Sequence, residues 1–260
     1  MTFRAVRILG EVDLIAAEDT RHTRKLLTHF GISRPLVSYF DHNQQIKGQQ
    51  IIAALVEGKN VALVSDAGTP CISDPGYQLV RDAAAAGVNV VPLPGGCAAI
   101  AALSASGLPT DEFTFIGFLP NRQGKRRERL SSLAAEPRLL VFYEAPHRLA
   151  ATLADMADLF GDRSAVVARE LTKIYEEIAR DRLPELARRF TETPARGEVV
   201  ILVAAGEPQL EHAPPDMADM LRTALAAGCT VKEAVQRVTA LSGASRSAVY
   251  AAALALKEKG

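Results

Sequence analysis

The sequence predicts an α/β protein of two domains followed by a short helical segment. Apolar runs of strand length alternate with segments of helical periodicity through the first half of the chain, which is typical of a parallel, doubly wound sheet. Turn-forming residues follow most of these runs. The chain has 260 residues, of which 48% are hydrophobic, so it is large enough to form two cores.

Composition excludes several classes of protein. Thirty basic residues balance thirty acidic ones, so a general polycation is excluded and any nucleic-acid contact must come from a local patch. No apolar stretch is long enough to span a bilayer and no secretory leader is recognisable, so we expect a cytoplasmic protein without a membrane partner. Cys71, Cys97 and Cys229 are far apart and lack a CxxC motif or a nearby histidine. We therefore expect neither a disulfide framework nor a metal site.

The first half is predicted to alternate between helices and strands. Residues 1–10 carry an apolar helical face, and no strand precedes them. Thr20 is placed to cap the second helix, and Gly31 is placed to end it. The predicted elements are helices at 1–10, 20–30, 45–58, 77–86 and 97–105, and strands at 13–17, 36–39, 61–64 and 88–91.

The stretch at 61–76, VALVSDAGTPCISDPG, is the leading candidate for a ligand-binding loop. Residues 66–70 cannot continue the strand that ends at Val64, and they let the main chain approach a ligand closely. A loop at the carboxyl end of a buried strand is where open α/β sheets bind ligands. An ordinary strand-to-helix connection is the alternative that the sequence leaves open.

The helix predicted at 20–30 carries cationic side chains in its first turns. They are Arg21, His22, Arg24 and Lys25. Cations near a helix N-terminus oppose the helix macrodipole. Either these side chains form a solvated face or they hold phosphate, and the sequence leaves both interpretations open.

The pattern changes near residue 117, where we place the boundary between the two domains. The aromatic-rich residues 113–119 predict a pair of strands. A basic run follows, because five cations and one anion give residues 122–129 a local charge of +4. This run is either a solvated face or a contact for an RNA backbone. It contains no aromatic residue, so it would position a backbone and not read bases.

The second half is predicted to contain three more strands and to end in helices. The strands are at 138–143, 164–168 and 199–204, with a helix at 183–190. Each strand ends near polar residues, which we expect to face the loops of the first domain across a cleft. Proline-rich residues 206–215 predict a linker, and residues 216–259 predict three short amphipathic helices.

Six motifs, spread over essentially the whole chain, carry a family resemblance. They are EDTRHTRKLL, LVSDAGTPCISDPG, VPLPGGCAAIAALSASGLP, FYEAPHRL, ARELTKIYEE, and KEAVQRV with SRSAVYAAAL. The sequence thereby resembles the ribosomal RNA small subunit methyltransferase I family, which is related to the tetrapyrrole methylases. The resemblance implies two α/β domains, at 1–117 and 118–207, with a cofactor cleft between them, and a helical segment at 208–260.

The same resemblance implies a homodimeric enzyme that uses S-adenosylmethionine to methylate a cytidine 2′-hydroxyl in 16S rRNA of the small ribosomal subunit. Two alternatives stay open. One is a tetrapyrrole or protein methyltransferase of the same fold. The other is a catalytically impaired RNA- or cofactor-binding protein, because the family normally begins with a strand and a glycine loop resembling VATPIGNLGD. This chain begins Met1-Thr2-Phe3-Arg4, so we expect the first strand of the sheet to be missing.

Candidate site residues follow from the matching motifs. The cofactor-binding candidates are Asp66, Ala67, Gly68, Thr69, Cys97, Ala98, Ala99, Tyr143, Glu144, Ala168 and Leu171. The RNA-binding candidates are Arg21, Arg24, Lys25, Arg122, Lys125, Arg126, Arg127 and Arg129. Asp66 is expected to orient the methionine moiety or its own loop, and the small residues are expected to make room for the nucleoside. For Glu144 and Glu170, a structural ion pair with Arg148 or Arg169 is the alternative.

The base that would accept the hydroxyl proton is not identifiable from the sequence. Glu18, Asp19 and Lys173 are candidates by chemistry. His22 or His42 would also serve, although a lone histidine is more often structural. Methyl transfer to a hydroxyl requires no metal, and positioning of the reacting groups can supply most of its acceleration.

Overall fold

The structure, a computed structural model, describes residues 1–206, 217–242 and 246–257. The chain divides into two units, which are Met1–Ala205 and Gly206–Gly260. The prolines of the predicted linker, Pro208, Pro214 and Pro215, lie outside the described residues. Within the described residues, no helix is both long enough and apolar enough to cross a membrane.

The first sheet has three parallel strands in the order β2-β1-β3. Its elements are α1 (Phe3–Glu11), β1 (Leu14–Ala17), α2 (Thr20–His29), β2 (Leu36–Ser38), α3 (Gln44–Val56), β3 (Val61–Val64) and α4 (Tyr77–Ala85). Strand β1 is central, and Ile15, Ala16 and Ala17 are fully buried. The predicted parallel alternation of strands and helices is confirmed for these elements.

Two local predictions in this region are wrong. The cap of α2 is Asp19 and not Thr20, which is the first helical residue. Residues 88–91 form no strand. A strand forms only where a neighbour takes up its backbone hydrogen bonds, and residues 88–91 do not pair with the open edge of β3 or with any other described strand. Val90 and Val91 are accordingly about half exposed, at 45% and 52%.

The second sheet has five strands in the order β4-β5-β8-β6-β7. Its elements, with the helix α5 that precedes it, are α5 (Ala98–Ser106), β4 (Phe113–Phe118), α6 (Gln123–Ser131), β5 (Leu139–Glu144), α7 (Leu149–Phe160), β6 (Ser164–Arg169), β7 (Glu177–Arg182), α8 (Leu183–Glu192) and β8 (Val199–Val203). Only β4 and β5 are parallel, and the other neighbours are antiparallel. Every residue of β8 is buried, as expected for a central strand between two packed faces.

Two predictions for the strands of this sheet are wrong. Residues 113–119 were predicted to form a pair of strands, but they form one strand, β4, whose register shifts at Gly117. Because β4 pairs with β5, the boundary between the two sheets lies before Phe113 and not after residue 117. Strand β7, EIARDR, was not predicted, because an exposed, charged edge strand lacks the apolar alternation that marks a strand.

Helix α5 packs on the second sheet although it precedes β4 in the chain. Ala99, Ala102 and Leu103 lie in one apolar cluster with Val141 of β5 and Leu202 of β8. The Nε atom of Arg180, on β7, donates to the carbonyl of Ser106 at 2.9 Å. Arg180 thereby satisfies a free carbonyl at the end of α5. These contacts hold α5, whose first two residues are candidate cofactor residues, against the second sheet.

A buried ion pair joins α6 to α7. Arg126 and Asp155 are 5% and 3% exposed, and the Nη2 and Oδ2 atoms are 2.7 Å apart. The other carboxylate oxygen of Asp155 accepts a hydrogen bond from Arg127 at 2.9 Å. Arg127 also pairs with the exposed Asp158 at 3.0 Å. Two of the five cations in the basic run are therefore used inside the fold.

The second unit contains the three helices that the sequence predicts. They are α9 (Met217–Ala226), α10 (Val231–Ser242) and α11 (Arg246–Lys257). Leu221, Val235 and Val249 are buried among them. Thr230 and Glu233 form a capping box at the start of α10, since each side chain accepts a hydrogen bond from the other residue's N–H group.

The buried ion pair predicts a large difference between two substitutions on α7. Asp155→Ala leaves the Arg126 guanidinium buried without its partner, so we expect it to lower the free energy of unfolding by about 3 kcal/mol or more. Asp158→Ala removes an exposed partner and is expected to cost less than about 1 kcal/mol. Urea denaturation of both variants, followed by circular dichroism, measures the two losses. Equal losses would show that the buried pair does not hold α6 in place.

Candidate functional site

The carboxylate of Asp66 joins the ends of two neighbouring strands. Its Oδ1 atom accepts a hydrogen bond from the N–H of Asp19 at 3.2 Å, and its Oδ2 atom lies 3.2 Å from Nδ1 of His22. In return, the N–H of Asp66 donates to Oε2 of Glu18 at 3.3 Å. Strands β1 and β3 are parallel neighbours, so their carboxyl ends meet at one edge of the sheet. This is the edge at which open α/β sheets bind ligands.

The carboxylate of Asp19 binds the main chain and the side chain of Arg21. Its side chain caps α2 by accepting the N–H of Arg21 at 2.8 Å, and it also pairs with the guanidinium at 2.8 Å. These hydrogen bonds hold the pKa of Asp19 far below its usual range. The carboxylate therefore stays ionised with its oxygens engaged, and this geometry argues against Asp19 as the base.

A cavity opens beside this group. It has a volume of about 390 Å³, and the residues that line it are His22, Thr23, Lys25, Leu26, Val64, Ser65 and Asp66. Sites for small molecules and cofactors generally fall between about 300 and 1,000 Å³. The predicted binding loop and the first two turns of α2 thus form the walls of one space that suits a ligand of nucleoside size.

Tyr143 is the centre of a second group, at the N-terminal end of α5. Its hydroxyl accepts the N–H of Ala99 at 3.3 Å and lies 3.9 Å from Sγ of Cys97. The rings of Phe115 and Phe118 pack edge-to-face against it, with centroids 5.1 and 5.7 Å away. Burial, with the neighbouring Cys97, raises the pKa of Tyr143 to about 12. The hydroxyl therefore keeps its proton at neutral pH.

The loop at 65–76 connects the two groups. The pKa of Asp74 is raised, first because its partial burial disfavours the charged form and then because Glu18 and Asp66 are negatively charged. The charge of Asp74 in turn contributes to the raised pKa of Tyr143. Asp74 therefore lies within electrostatic range of both groups. Sequence reasoning overlooked it, because its SDPG context is also that of an ordinary turn.

The same loop has a strained backbone. Cys71 and Ser73 have positive φ angles of 72° and 61°, which non-glycine residues rarely adopt. A Cβ atom on Gly76 would lie 2.7 Å from Sγ of Cys71, so glycine is required there. A Cβ atom on Gly117 would lie 2.8 Å from Oγ of Ser73, which shows how closely the loop approaches β4. Strain of this kind concentrates at binding and catalytic sites.

Glu144 is structural. Its side chain is buried, Oε2 accepts a hydrogen bond from Thr152 at 2.7 Å, and Oε1 accepts the N–H of Ala145 at 2.8 Å. Arg148 lies 3.2 Å from the same carboxylate, so the ion pair that the sequence left as an alternative is present. With its oxygens engaged, Glu144 has no free group to offer a cofactor.

The ammonium group of Lys173 is also engaged, in two ion pairs. Its ammonium group pairs with Glu170 at 2.8 Å and with Glu198 at 3.2 Å. These two carboxylates raise its pKa, so the amine stays protonated and cannot accept a proton. The predicted alternative partner of Glu170 was Arg169, but Arg169 pairs with Glu177 instead.

The remaining cofactor candidates divide between the two groups. Ala168 is fully buried in β6. Leu171, Cys97 and Tyr143 pack against the apolar cluster that contains Ala168, so Ala168 and Leu171 help to hold the Tyr143 group in place. Ala98 is the first residue of α5. Ala67, Gly68 and Thr69 are exposed in the loop after β3, and Gly68 has a φ angle of +71°.

The RNA-binding candidates fall into free and paired cations. Arg126 is buried, and Arg127 is paired with two aspartates, so neither is available to RNA. Arg21 is exposed but paired with Asp19. The candidates that are exposed and lack an acidic partner within the described part of the chain are Arg24, Lys25, Arg122, Lys125 and Arg129.

A metal ion is not needed to explain the Asp66 group. Asp19, His22 and Asp66 bring their potential ligand atoms within 4.8 Å of one another. Every carboxylate oxygen in this set, however, already has a protein partner: Arg21 for Asp19, and Asp19 and His22 for Asp66. The arrangement is a hydrogen-bonded cluster. The contact of His22 with Asp66 was not predicted, because the sequence shows His22 only as one of several cationic side chains on α2.

Comparison with known proteins identifies the family. A model described as tetrapyrrole (corrin/porphyrin) methylases matches residues 1–187, and one described as the RsmI C-terminal HTH domain matches residues 211–257. Ribosomal RNA small subunit methyltransferase I of Pseudomonas aeruginosa is 49% identical over 255 residues, which are 96% of this chain and 90% of the relative. The Escherichia coli O157:H7 protein of the same name is 49% identical over 259 residues, with 98% and 90% coverage. The chain belongs to the ribosomal RNA small subunit methyltransferase I family.

A solved structure supports the fold of this chain. The crystal structure of diphthine synthase matches it with a TM-score of 0.61 at 15% identity, over 78% of this chain and 84% of that one. At this identity the likeness shows the fold alone, which is the mixed α/β fold of the tetrapyrrole methylases with an added helical segment. The region matched to that family, residues 1–187, contains both the Asp66 group and the Tyr143 group.

Proposed function

We propose that the chain transfers a methyl group from S-adenosylmethionine to the 2′-hydroxyl of a cytidine in 16S rRNA of the small ribosomal subunit. The observation that carries this proposal is 49% identity to ribosomal RNA small subunit methyltransferase I over nearly the full chain, including the helical segment. Likeness to solved structures of enzymes with other names is at 15 to 21% identity and concerns the fold only. The RNA substrate is therefore favoured over a tetrapyrrole or a protein side chain.

The residues around the cavity and at the N-terminal end of α5 suit S-adenosylmethionine, which supplies an electrophilic methyl group on a positively charged sulfur. Glu18, Asp66 and Asp74 place negative charge near the cavity, and this charge complements a sulfonium and an ammonium group. The exposed main chain of the loop at 66–69 and the N-terminal end of α5 offer hydrogen-bonding groups without bulky side chains. The residues that would hold the cofactor are Ala67, Gly68, Thr69, Cys97, Ala98, Ala99 and Tyr143, and Asp66 fixes the loop that carries the first three of them.

The chain's own contribution is expected to be positioning. The loop at 65–76 is held at one end by the Asp66 hydrogen bonds and approaches β4 through Ser73. A loop fixed in this way orders the reacting groups before reaction, and this ordering can supply most of the acceleration of an in-line displacement. The rings of Phe115 and Phe118 pack edge-to-face against Tyr143 and hold its side chain in place.

The free cations would contact the RNA backbone. Arg122, Lys125 and Arg129 lie on or beside α6, and Arg24 and Lys25 lie on α2. Exposed cations without acidic partners contact phosphates at the least desolvation cost. We further propose that the helical segment docks the ribosomal substrate, and that the enzyme works in the cytoplasm as a homodimer, as the family resemblance implies.

Methyl transfer to ribosomal subunits tests the proposed activity. The full chain, labelled S-adenosylmethionine and small subunits that lack the modification are expected to yield label in 2′-O-methylcytidine after nucleoside analysis. Subunits that already carry the modification are the control and should take up no label. Label in a base or in protein, or cofactor and RNA binding without transfer, would contradict the proposal. The last outcome would favour the binding protein that the sequence left as an alternative.

Neutralising the free cations on α6 should weaken RNA binding in a salt-dependent way. The variant Arg122→Gln/Lys125→Gln/Arg129→Gln is expected to reduce the slope of log affinity against log salt concentration by about 2 to 3, because each lost phosphate contact contributes about 0.7 to 0.9. The matched control is Arg81→Gln/Arg138→Gln/Arg188→Gln, which removes three cations that are paired with acidic side chains. Filter binding to small subunits measures both slopes. An equal change in the control would show that only net charge matters.

A further inference from the structure

His22 and Asp66 form a dyad, and the assignments above give His22 no role. His22 lies in the first turn of α2, its Nδ1 atom is 3.2 Å from Oδ2 of Asp66, and it lines the cavity. An ionised carboxylate only accepts hydrogen bonds, so Nδ1 carries the proton. The lone pair of the neutral ring is then on Nε2, which has no hydrogen-bond partner within the described residues. The imidazole is 61% exposed.

The base candidates Asp19, Lys173 and Glu18 are less suited to accept a proton. Asp19 is bound to Arg21, with its pKa held far below the usual range. Lys173 is held in its charged form by Glu170 and Glu198. Glu18 accepts the N–H of Asp66 and so helps to position the dyad. Only His22 combines a place in the cavity wall, a free nitrogen and a carboxylate that orients its ring.

Hydrogen bonds position the dyad. Asp66 is fixed through Oδ1 to the N–H of Asp19 and through its own N–H to Glu18. Asp19 in turn caps the helix that carries His22. The charged groups around the imidazole are Asp19, Arg21 and Lys25 on or next to α2, Asp66 and Asp74 on the loop, and Glu18 at the end of β1. An imidazole oriented by a carboxylate is the usual arrangement of a histidine general base.

We propose that His22 is the general base of the methyl transfer and that Asp66 sets its tautomer and orientation. This assignment rests on the proposed function. As the 2′-oxygen forms its bond to the methyl carbon, Nε2 of His22 takes the hydroxyl proton. The bond between that carbon and sulfur breaks, and its electron pair stays on sulfur. The imidazolium then returns the proton to solvent, so the enzyme ends the cycle unchanged.

Substitution of His22 separates a base from a structural side chain. His22→Asn keeps a donor that can reach Asp66 but lacks Nε2, and His22→Ala leaves room for free imidazole. In single-turnover assays at neutral pH, we expect both variants to transfer methyl 10²- to 10⁴-fold more slowly than the parent chain. Affinity for S-adenosylmethionine, measured by calorimetry, and affinity for small subunits should stay within about twofold. His29→Gln, at the other end of α2, is the control and should match the parent.

Three further readouts identify the role. The parent rate should rise with pH in proportion to the neutral imidazole, His22→Asn should lose that dependence, and added imidazole should partly restore His22→Ala. Without any turnover, ¹⁵N spectra of histidine-labelled protein should show the Nδ1–H tautomer for His22, and Asp66→Asn should weaken it.

Parent-like rates in His22→Asn, an unchanged pH profile or failed rescue would overturn the assignment. A loss of subunit affinity with a reduced salt slope would instead make His22 a phosphate contact. An inactive parent chain would contradict the proposed function itself, whereas the spectra still test the dyad.

Discussion

The carboxylate of Asp66 is the contact on which the first half of the site depends. It joins the turn after β1, the first turn of α2 and the loop after β3 through hydrogen bonds of 3.2 Å to Asp19 and His22. Parallel neighbouring strands bring these segments to one sheet edge, but their side chains are free to point in many directions. The carboxylate removes that freedom, because both of its oxygens are engaged. A cavity of about 390 Å³ and its catalytic candidate are defined by the same contact.

The second half of the site depends on a different kind of interaction. Tyr143 is held by aromatic packing and by the N–H of Ala99, and α5 is held by apolar contacts with the second sheet. The loop at 65–76 spans the distance between the two halves with two non-glycine residues at positive φ, Cys71 and Ser73. Backbone strain of this kind costs about 1 to 3 kcal/mol per residue and persists only where the surrounding structure over-determines it. Here the hydrogen bonds of Asp66 and the close packing at Gly76 and Gly117 supply that constraint.

Most elements were predictable because their patterns are local. The parallel strands of the first sheet, the loop at 66–70 and the three final helices follow from apolar runs and turn residues. The errors arose where a distant partner decides the outcome. Residues 88–91 have strand-like composition but pair with none of the described strands, and β7 is a strand only because β6 lies beside it. Arg126 reads as a surface cation until Asp155, 29 residues away, buries it. His22 reads as one more cation on α2 until Asp66, 44 residues away, orients its ring.

We propose that the loop after β3 and the N-terminal end of α5 form one cofactor site. Hydrogen exchange of the full chain, measured by mass spectrometry with and without S-adenosylmethionine, tests it most directly. Cofactor binding is expected to slow exchange in peptides that cover residues 65–76 and in peptides that cover residues 96–100, since ordering and burial both protect amides. Protection of both segments at the same cofactor concentration would support a single site. Protection of only one segment, or of neither, would contradict it.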